Sequence, residues 1–298
     1  MSLVMALQVM GCASPFYAGR EPSLSRFEQS HVFQPARYPE GNWSPAGAKF
    51  EDVWFNAADG TRLNGWYLAH EQPVAAVLFA HGNAGNITQY ADTLKDLHDH
   101  HRVSVMIFDY RGFGKSDGEP SEAGILDDAR TARRWLAQRE KIAEDDVVLL
   151  GQSLGGGVMV DLAAADGARG LVLASTFTSL PDVAAHHFPL TPARLFMRSR
   201  LDSLASIGEY HGPLLQLHGD NDRTIPLSLG KRLYAAANEP KRFVVHPGGD
   251  HNDPWPEEFH RALDKFLASL PAVHPLPQPP RWHRTRVEAD SEKASTRG

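Results

Sequence analysis

The chain has 298 residues, 42% of them hydrophobic, enough to bury one large core, and chains of this size often fold without dividing. A net charge of −6 with a pI near 6.2 provides no basic footprint for nucleic acid. A mean hydropathy of −0.35 and the absence of a long apolar run exclude a bundle of membrane-spanning helices, so the expected partner is a small molecule or an acylated surface.

The chain opens on an apolar stretch that ends in Val9-Met10-Gly11-Cys12-Ala13 and contains the single cysteine. The pattern resembles a bacterial lipoprotein cleavage box in which Cys12 becomes the lipidated first residue, although the positive n-region is missing. A lone cysteine among apolar residues also serves as a small hydrophobe. Two locations follow from these readings: a membrane-anchored lipoprotein facing the periplasm, or the cytoplasm. Residues 14–47, rich in Pro, Ser and Gly, are expected to form a tether or cover.

Strands are predicted near 50–55 and 63–69, joined by an Asp59-Gly60 turn. Strands at Val74–Ala80, Val103–Phe108, Val147–Leu150, Pro213–Leu217 and Arg242–Val245 then alternate with helices near 86–100, 121–138, 154–165, 226–237 and 256–269. A hairpin followed by βα units is an α/β pattern with a mostly parallel sheet, and residues 48–270 are read as that domain. The stretch 176–212 has no strand signal and is expected to cross the site as a short cap. Its Phe177, Phe188, Leu190, Leu195, Phe196 and Met197 either line an acyl pocket or pack the cap down. The tail 271–298, with Pro275-Leu276-Pro277-Gln278-Pro279-Pro280, has the composition of a disordered segment.

Gly151-Gln152-Ser153-Leu154-Gly155 stands between an apolar strand and a small-residue helix, the context of a nucleophile elbow. A sharp strand-to-helix turn strains the backbone at Ser153, and the glycines leave room for it. The helix N-terminus offers free amides to a developing oxyanion, which suits acyl transfer. A serine at its free pKa needs a histidine base oriented by a carboxylate. Behind such an elbow the acid precedes the base in the chain. Asp222 is preferred to Asp220 as the acid, because a glycine-led turn and Pro226 frame it. Of 15 histidines, His251 sits at a loop tip before the last helix, whereas His246 lies within reach of the preceding strand and is expected to pack or cap. Leu154 and Asn83, the latter in His81-Gly82-Asn83-Ala84-Gly85-Asn86, are the candidate oxyanion donors.

The segment Asp109-Tyr110-Arg111-Gly112-Phe113-Gly114-Lys115-Ser116-Asp117-Gly118 matches the end of a Walker loop, but position 109 is Asp where that motif needs glycine. It is read as a structural loop shaping the floor of the site.

Taken in order, H-G-N-A-G-N, Y-R-G-x-G-x-S and G-x-S-L-G-G, with the loops at 218–226 and 249–253, make residues 48–270 similar to an α/β-hydrolase-fold serine hydrolase. The resemblance is closest to small α/β-hydrolase domain-containing proteins and serine aminopeptidase-like hydrolases, some of which resemble protein depalmitoylases. It implies a mostly parallel eight-stranded sheet with helices on both faces and a short helical cap. It also implies Ser153, Asp222 and His251 as a catalytic triad, Asn83 and Leu154 as the oxyanion hole, and neither cofactor nor metal in the reaction. One departure is the charged Asp250 beside His251, expected to point to solvent.

The implied activity is cleavage of an ester, thioester or amide through an acyl-enzyme. Haloalkane dehalogenase and epoxide hydrolase chemistry on this fold would need Asp at position 153. A cofactor-free peroxidase and a non-catalytic lipid-binding protein on the same scaffold are the alternatives. His98-Asp99-His100-His101 is read as a solvated helix terminus, favoured by the dipole, rather than as a metal site. His186 and His187 are read as surface or cap residues, and Arg130, Arg133, Arg134 and Arg139 as a solvent-facing stripe.

Overall fold

The computed structural model describes residues 32–47, 49–190, 192 and 197–274. Cys12, Leu195, Phe196 and the tail beyond His274 lie outside the described residues.

The chain reverses at Asp59-Gly60 between β1 (Glu51–Asn56) and β2 (Arg62–Leu68). Gly60 takes a φ of 87°, which a side chain would disfavour, and Asp59 Oδ1 accepts the Thr61 N–H at 2.9 Å. The parallel strands follow: β3 (Ala76–Ala80), β4 (Ser104–Phe108), β5 (Val148–Gln152), β6 (Gly170–Ala174), β7 (Leu214–Gly219) and β8 (Lys241–His246). β3, β4 and β6 are buried at every position, as helices on both faces require. β6 is the one strand beyond those expected; its signal is the apolar run Leu171-Val172-Leu173 behind Gly170.

The eight strands run β8-β7-β6-β5-β3-β4-β2-β1 across the sheet, with β2 antiparallel to both its neighbours and every other pair parallel. Alternate residues of each strand feed two cores. Leu78, Met106, Leu149 and Leu171 join one face, while Phe79, Ile107, Leu150 and Val172 join the other. α2 (Glu122–Glu140), α3 (Leu154–Asp166) and α6 (Leu227–Ala236) cover the first face; α1 (Ala91–Asp99) and α7 (Glu257–Ser269) cover the second. From β3 the chain moves outward to β4 and then returns to the other side for β5. This reversal opens a crevice at the C-terminal ends of β3 and β5, where open α/β sheets bind ligands.

Three local expectations change. The helix expected from residue 86 begins as a 3-10 turn over Ile87–Tyr90, capped by Asn86, which accepts the Thr88 N–H at 3.0 Å. Arg133 does not face solvent: it is 4% exposed, and its Nη1 donates to the Gly167 carbonyl at 3.0 Å beside Glu144 and Asp166. Its charged head crosses from α2 to the end of α3, while Arg134 and Arg139 remain exposed. His101 is also buried rather than solvated, at 5% exposure.

Between β6 and β7 the described residues form α4 (Leu180–His187) and α5 (Ser203–Ser206). Phe177 is buried against the α3 glycines, whereas Phe188 and Leu190 are exposed. His187 Nε2 donates to the Thr224 carbonyl at 2.8 Å, which ties α4 to the loop after β7. The segment before β1 lies across two loops: Gln34–Pro35 pairs in parallel with Ala84–Gly85, and Tyr38 N–H donates to the Gly114 carbonyl at 2.8 Å. No helix among the described residues is long and apolar enough to cross a membrane.

Candidate active site

β5 passes into α3 through a single residue, Ser153, at φ 54° and ψ −117°. A non-glycine residue held there costs about 1–3 kcal/mol and persists only where its surroundings fix it. The surroundings here are backbone and one buried hydroxyl. Ser153 N–H donates to the Ala174 carbonyl at 2.9 Å, and its own carbonyl accepts the Gly156 N–H at 3.0 Å and the Thr176 hydroxyl at 2.9 Å. A methyl group on Gly155 would fall on the Ala80 carbonyl, and one on Gly151 would fall on the Gly155 carbonyl. The elbow glycines therefore let strand, helix and β3 approach closely. Leu154 opens α3, so its N–H is one of the amides without a partner one turn back.

The loops after β7 and β8 bring Asp222 and His251 to this serine. His251 Nε2 lies 3.0 Å from Ser153 Oγ, and His251 Nδ1 donates to Asp222 Oδ2 at 2.8 Å. The other Asp222 oxygen accepts the N–H groups of Thr224 at 2.9 Å and Ile225 at 2.7 Å. Burial opposes its charge, yet the hydrogen bonds from His251 and Ile225 outweigh it and hold the carboxyl below the usual range. With Nδ1–H committed to Asp222, Nε2 is free to accept the serine proton. Asp220, the rival acid, instead accepts the Gly248 N–H at 2.6 Å. His246 ends β8, and its carbonyl accepts the Asp220 and Gly249 N–H groups.

Asp250 lies at the surface, as expected, but it is not free there. Its carboxylate pairs with the Arg223 guanidinium and accepts the Arg223 N–H at 3.0 Å and the His251 N–H at 2.8 Å. The Arg223 bonds hold its carboxyl well below the carboxylate range. Together with Asn221 N–H to the Gly249 carbonyl at 3.1 Å, this pair laces the loop after β7 to the loop after β8. His218, at the end of β7, stands 3.5 Å from Asp222 Oδ2 and donates from Nε2 to the Ile225 carbonyl at 2.8 Å. Burial lowers its pKa and keeps it neutral behind Asp222. Sequence reasoning assigns no role to Arg223 or His218; their one local signal is nearness to Asp222, which Arg223 follows directly and His218 precedes by four positions.

The loop after β3 borders the serine, for a methyl group on Gly82 would lie 3.6 Å from Ser153 Cβ. Gly82 N–H is committed to the Tyr90 hydroxyl at 3.1 Å, so Asn83 supplies the next amide along the loop. Its carbonyl is held by the Gln34 N–H at 3.3 Å. Below lie two buried titratable groups. His81 Nδ1 donates to the Gly82 carbonyl at 2.8 Å, and its Nε2 lies 3.7 Å from Asp109 Oδ1, which accepts the Ile87 N–H at 3.0 Å. Burial pushes His81 down to about 4 and Asp109 up to about 8, so both are uncharged near neutrality. The Asp109–Gly118 loop is pinned by Arg111, whose guanidinium grips Asp128 of α2 at 2.7 and 3.0 Å and Asp59 at 2.8 Å.

Among the described residues one set of three ligand-type side chains converges, Asp96, His101 and His260, and it shares no residue with the Ser153 constellation.

Residues 71–205 match the family described as serine aminopeptidase, S33. The chain is 42% identical over 212 residues to the uncharacterized protein Rv2307c of Mycobacterium tuberculosis, covering 70% of this chain and 74% of that one. It is 32% identical over 254 residues to the α/β hydrolase domain-containing protein WAV2 of Arabidopsis thaliana, covering 78% and 80%. In three dimensions it is similar to the esterase Pf2001 of Pyrococcus furiosus, with a TM-score of 0.66, 20% identity, and coverage of 80% of this chain and 98% of that one.

Proposed function

This chain belongs to the α/β-hydrolase superfamily, and on that premise we propose that it is a serine hydrolase that cleaves ester or thioester bonds of a small or acylated substrate through an acyl-enzyme. The observation that carries the reading is the 3.0 Å approach of His251 Nε2 to Ser153 Oγ, with Asp222 engaged on the other ring nitrogen.

In this reading Ser153 Oγ attacks the acyl carbonyl while its proton passes to His251 Nε2. The imidazolium is stabilised by Asp222, whose carboxylate also keeps the ring in the required tautomer. Negative charge gathers on the carbonyl oxygen, where the Leu154 and Asn83 N–H groups act as donors; one such donor is worth about 3–4 kcal/mol. The tetrahedral intermediate collapses, the leaving alcohol or thiol takes the proton from His251, and Ser153 remains acylated. Water then gives a proton to His251 Nε2 and attacks the acyl carbon; the second tetrahedral intermediate collapses, His251 returns the proton to Ser153 Oγ, and the acid leaves. Amide cleavage would follow the same steps with an amine leaving group.

The test is Ser153→Ala, with p-nitrophenyl ester turnover and fluorophosphonate labelling as readouts. Labelling should vanish, and turnover should fall by about 10⁴-fold or more. Unchanged labelling of the variant would remove Ser153 from the mechanism. A parallel panel of ester, thioester and aminoacyl-amide substrates on the wild type identifies the preferred leaving group.

A further inference from the structure

His101 follows the C-terminal end of α1, and His260 lies in the first turn of α7. Their rings stack at 5.3 Å between centroids and 7° between planes. Each uses its outer nitrogen on a fixed acceptor: His101 Nδ1 on Asp264 Oδ1 at 2.7 Å, and His260 Nε2 on the Trp255 carbonyl at 3.1 Å. A neutral imidazole has one N–H, so those bonds use both ring protons. His101 Nε2 and His260 Nδ1 then face each other across 3.0 Å as lone pairs. Asp96 Oδ2 stands 3.3 Å from His260 Nδ1 and 3.8 Å from His101 Nε2. With both rings neutral, three acceptors therefore converge with no donor among them, and the His101 side chain is only 2% exposed.

We propose that Asp96, His101 and His260 form a binding site for a divalent transition-metal ion of the zinc type. Zinc–nitrogen bonds of about 2.0–2.1 Å at tetrahedral angles hold ligand atoms about 3.3 Å apart, against the 3.0, 3.3 and 3.8 Å found here. Two imidazoles and a carboxylate form a donor set suited to zinc, nickel or cobalt, with water completing the shell. Asp264 and the Trp255 carbonyl are the outer partners that fix the tautomers of ligating histidines. His100 Nδ1 binds the remaining Asp96 oxygen and so orients that carboxylate. The ion links α1 to α7, elements whose histidines are 159 positions apart in sequence. α7 begins six residues after His251, so the site braces the helix behind the base loop. The site stands independently of the proposed hydrolysis.

The experiment uses the full chain, stripped with chelator and desalted, with Zn²⁺ and Co²⁺ as probes. Equilibrium dialysis should show one Zn²⁺ retained per chain and a higher melting temperature. His260→Ala and Asp96→Asn, both at partly exposed positions, should weaken uptake by about 100-fold or more while circular dichroism remains native. Asp264→Asn should weaken it by about 10–100-fold. His211→Ala, which removes a surface imidazole elsewhere, should leave one equivalent bound. Co²⁺ should give the visible absorption of a tetrahedral site in the wild type and lose it in His260→Ala. The proposal is overturned if wild type and His260→Ala retain equal zinc, if Co²⁺ gives no such band, or if NMR shows a proton shared between the two rings that added Zn²⁺ does not displace.

Discussion

Ser153 is fixed by backbone packed on backbone, whereas Asp222 and His251 are fixed by hydrogen bonds between two loops at the rim of the sheet. On the elbow side, glycines bring α3 against β3, and the nearby titratable groups, His81 and Asp109, are buried and uncharged. On the other side a charged pair, Arg223 and Asp250, lies open to water and laces the loops. The contrast follows from what each part must resist. A strained dihedral needs a support that cannot yield, and close-packed backbone provides it. Two loops that need only remain in register can be tied with weaker, adjustable bonds.

The largest effect should come from breaking the elbow. Gly155→Ala adds a helix-favouring residue, but its methyl group meets the Ala80 carbonyl, so α3 must move away from β3. Loss of about 3–5 kcal/mol in urea unfolding, with ester turnover near background, is expected. A variant as stable and active as wild type would show that the elbow yields after all.

Next in size is the acid. Asp222→Asn should leave the fold in place and lower kcat by about 10³–10⁴-fold, because the amide no longer imposes the same imidazole tautomer. Its signature is a kcat loss with little change in KM. Because the native pKa of Asp222 is depressed, its contribution to stability is complete above the unfolded value of 3.8 and disappears as pH falls below it.

Asp109 tests the buried side with the opposite sign. Its native pKa is raised to about 8, so the folded state holds a proton that the unfolded chain releases above 3.8, and stability declines as pH rises through 8. His81, lowered to about 4 from 6.5, contributes a slope only below pH 7. Between pH 7 and 8, wild type should lose about 1 kcal/mol that Asp109→Asn retains, as read from urea midpoints. Equal slopes would place the Asp109 titration elsewhere.

The smallest effect belongs to Arg223→Ala. Water and salt screen an exposed ion pair, so kcat should fall by no more than about two- to fivefold. Added salt should reproduce part of that loss in the wild type, but not in the variant.

These contrasts also explain what could be read from sequence. The elbow, the strand runs and the order Ser153, Asp222, His251 are local patterns: apolar stretches, glycines at fixed spacing, and turn residues between them. Helical spacing puts Arg133 on a solvent face because it cannot reveal that Gly167 and Glu144 fold over it. The residues around His101 read as a solvated terminus because its partners, His260 and Asp264, are supplied by the last helix. Asp250 pairs with Arg223, 27 positions away, a distance that no motif encodes.

The residues before β1 have a geometric consequence of their own. Gln34 and Pro35 zip onto Ala84 and Gly85, immediately beside Asn83. Residues 34 and 35 therefore stand at the mouth of the crevice rather than at a remote corner, and a change there reaches the Asn83 loop directly.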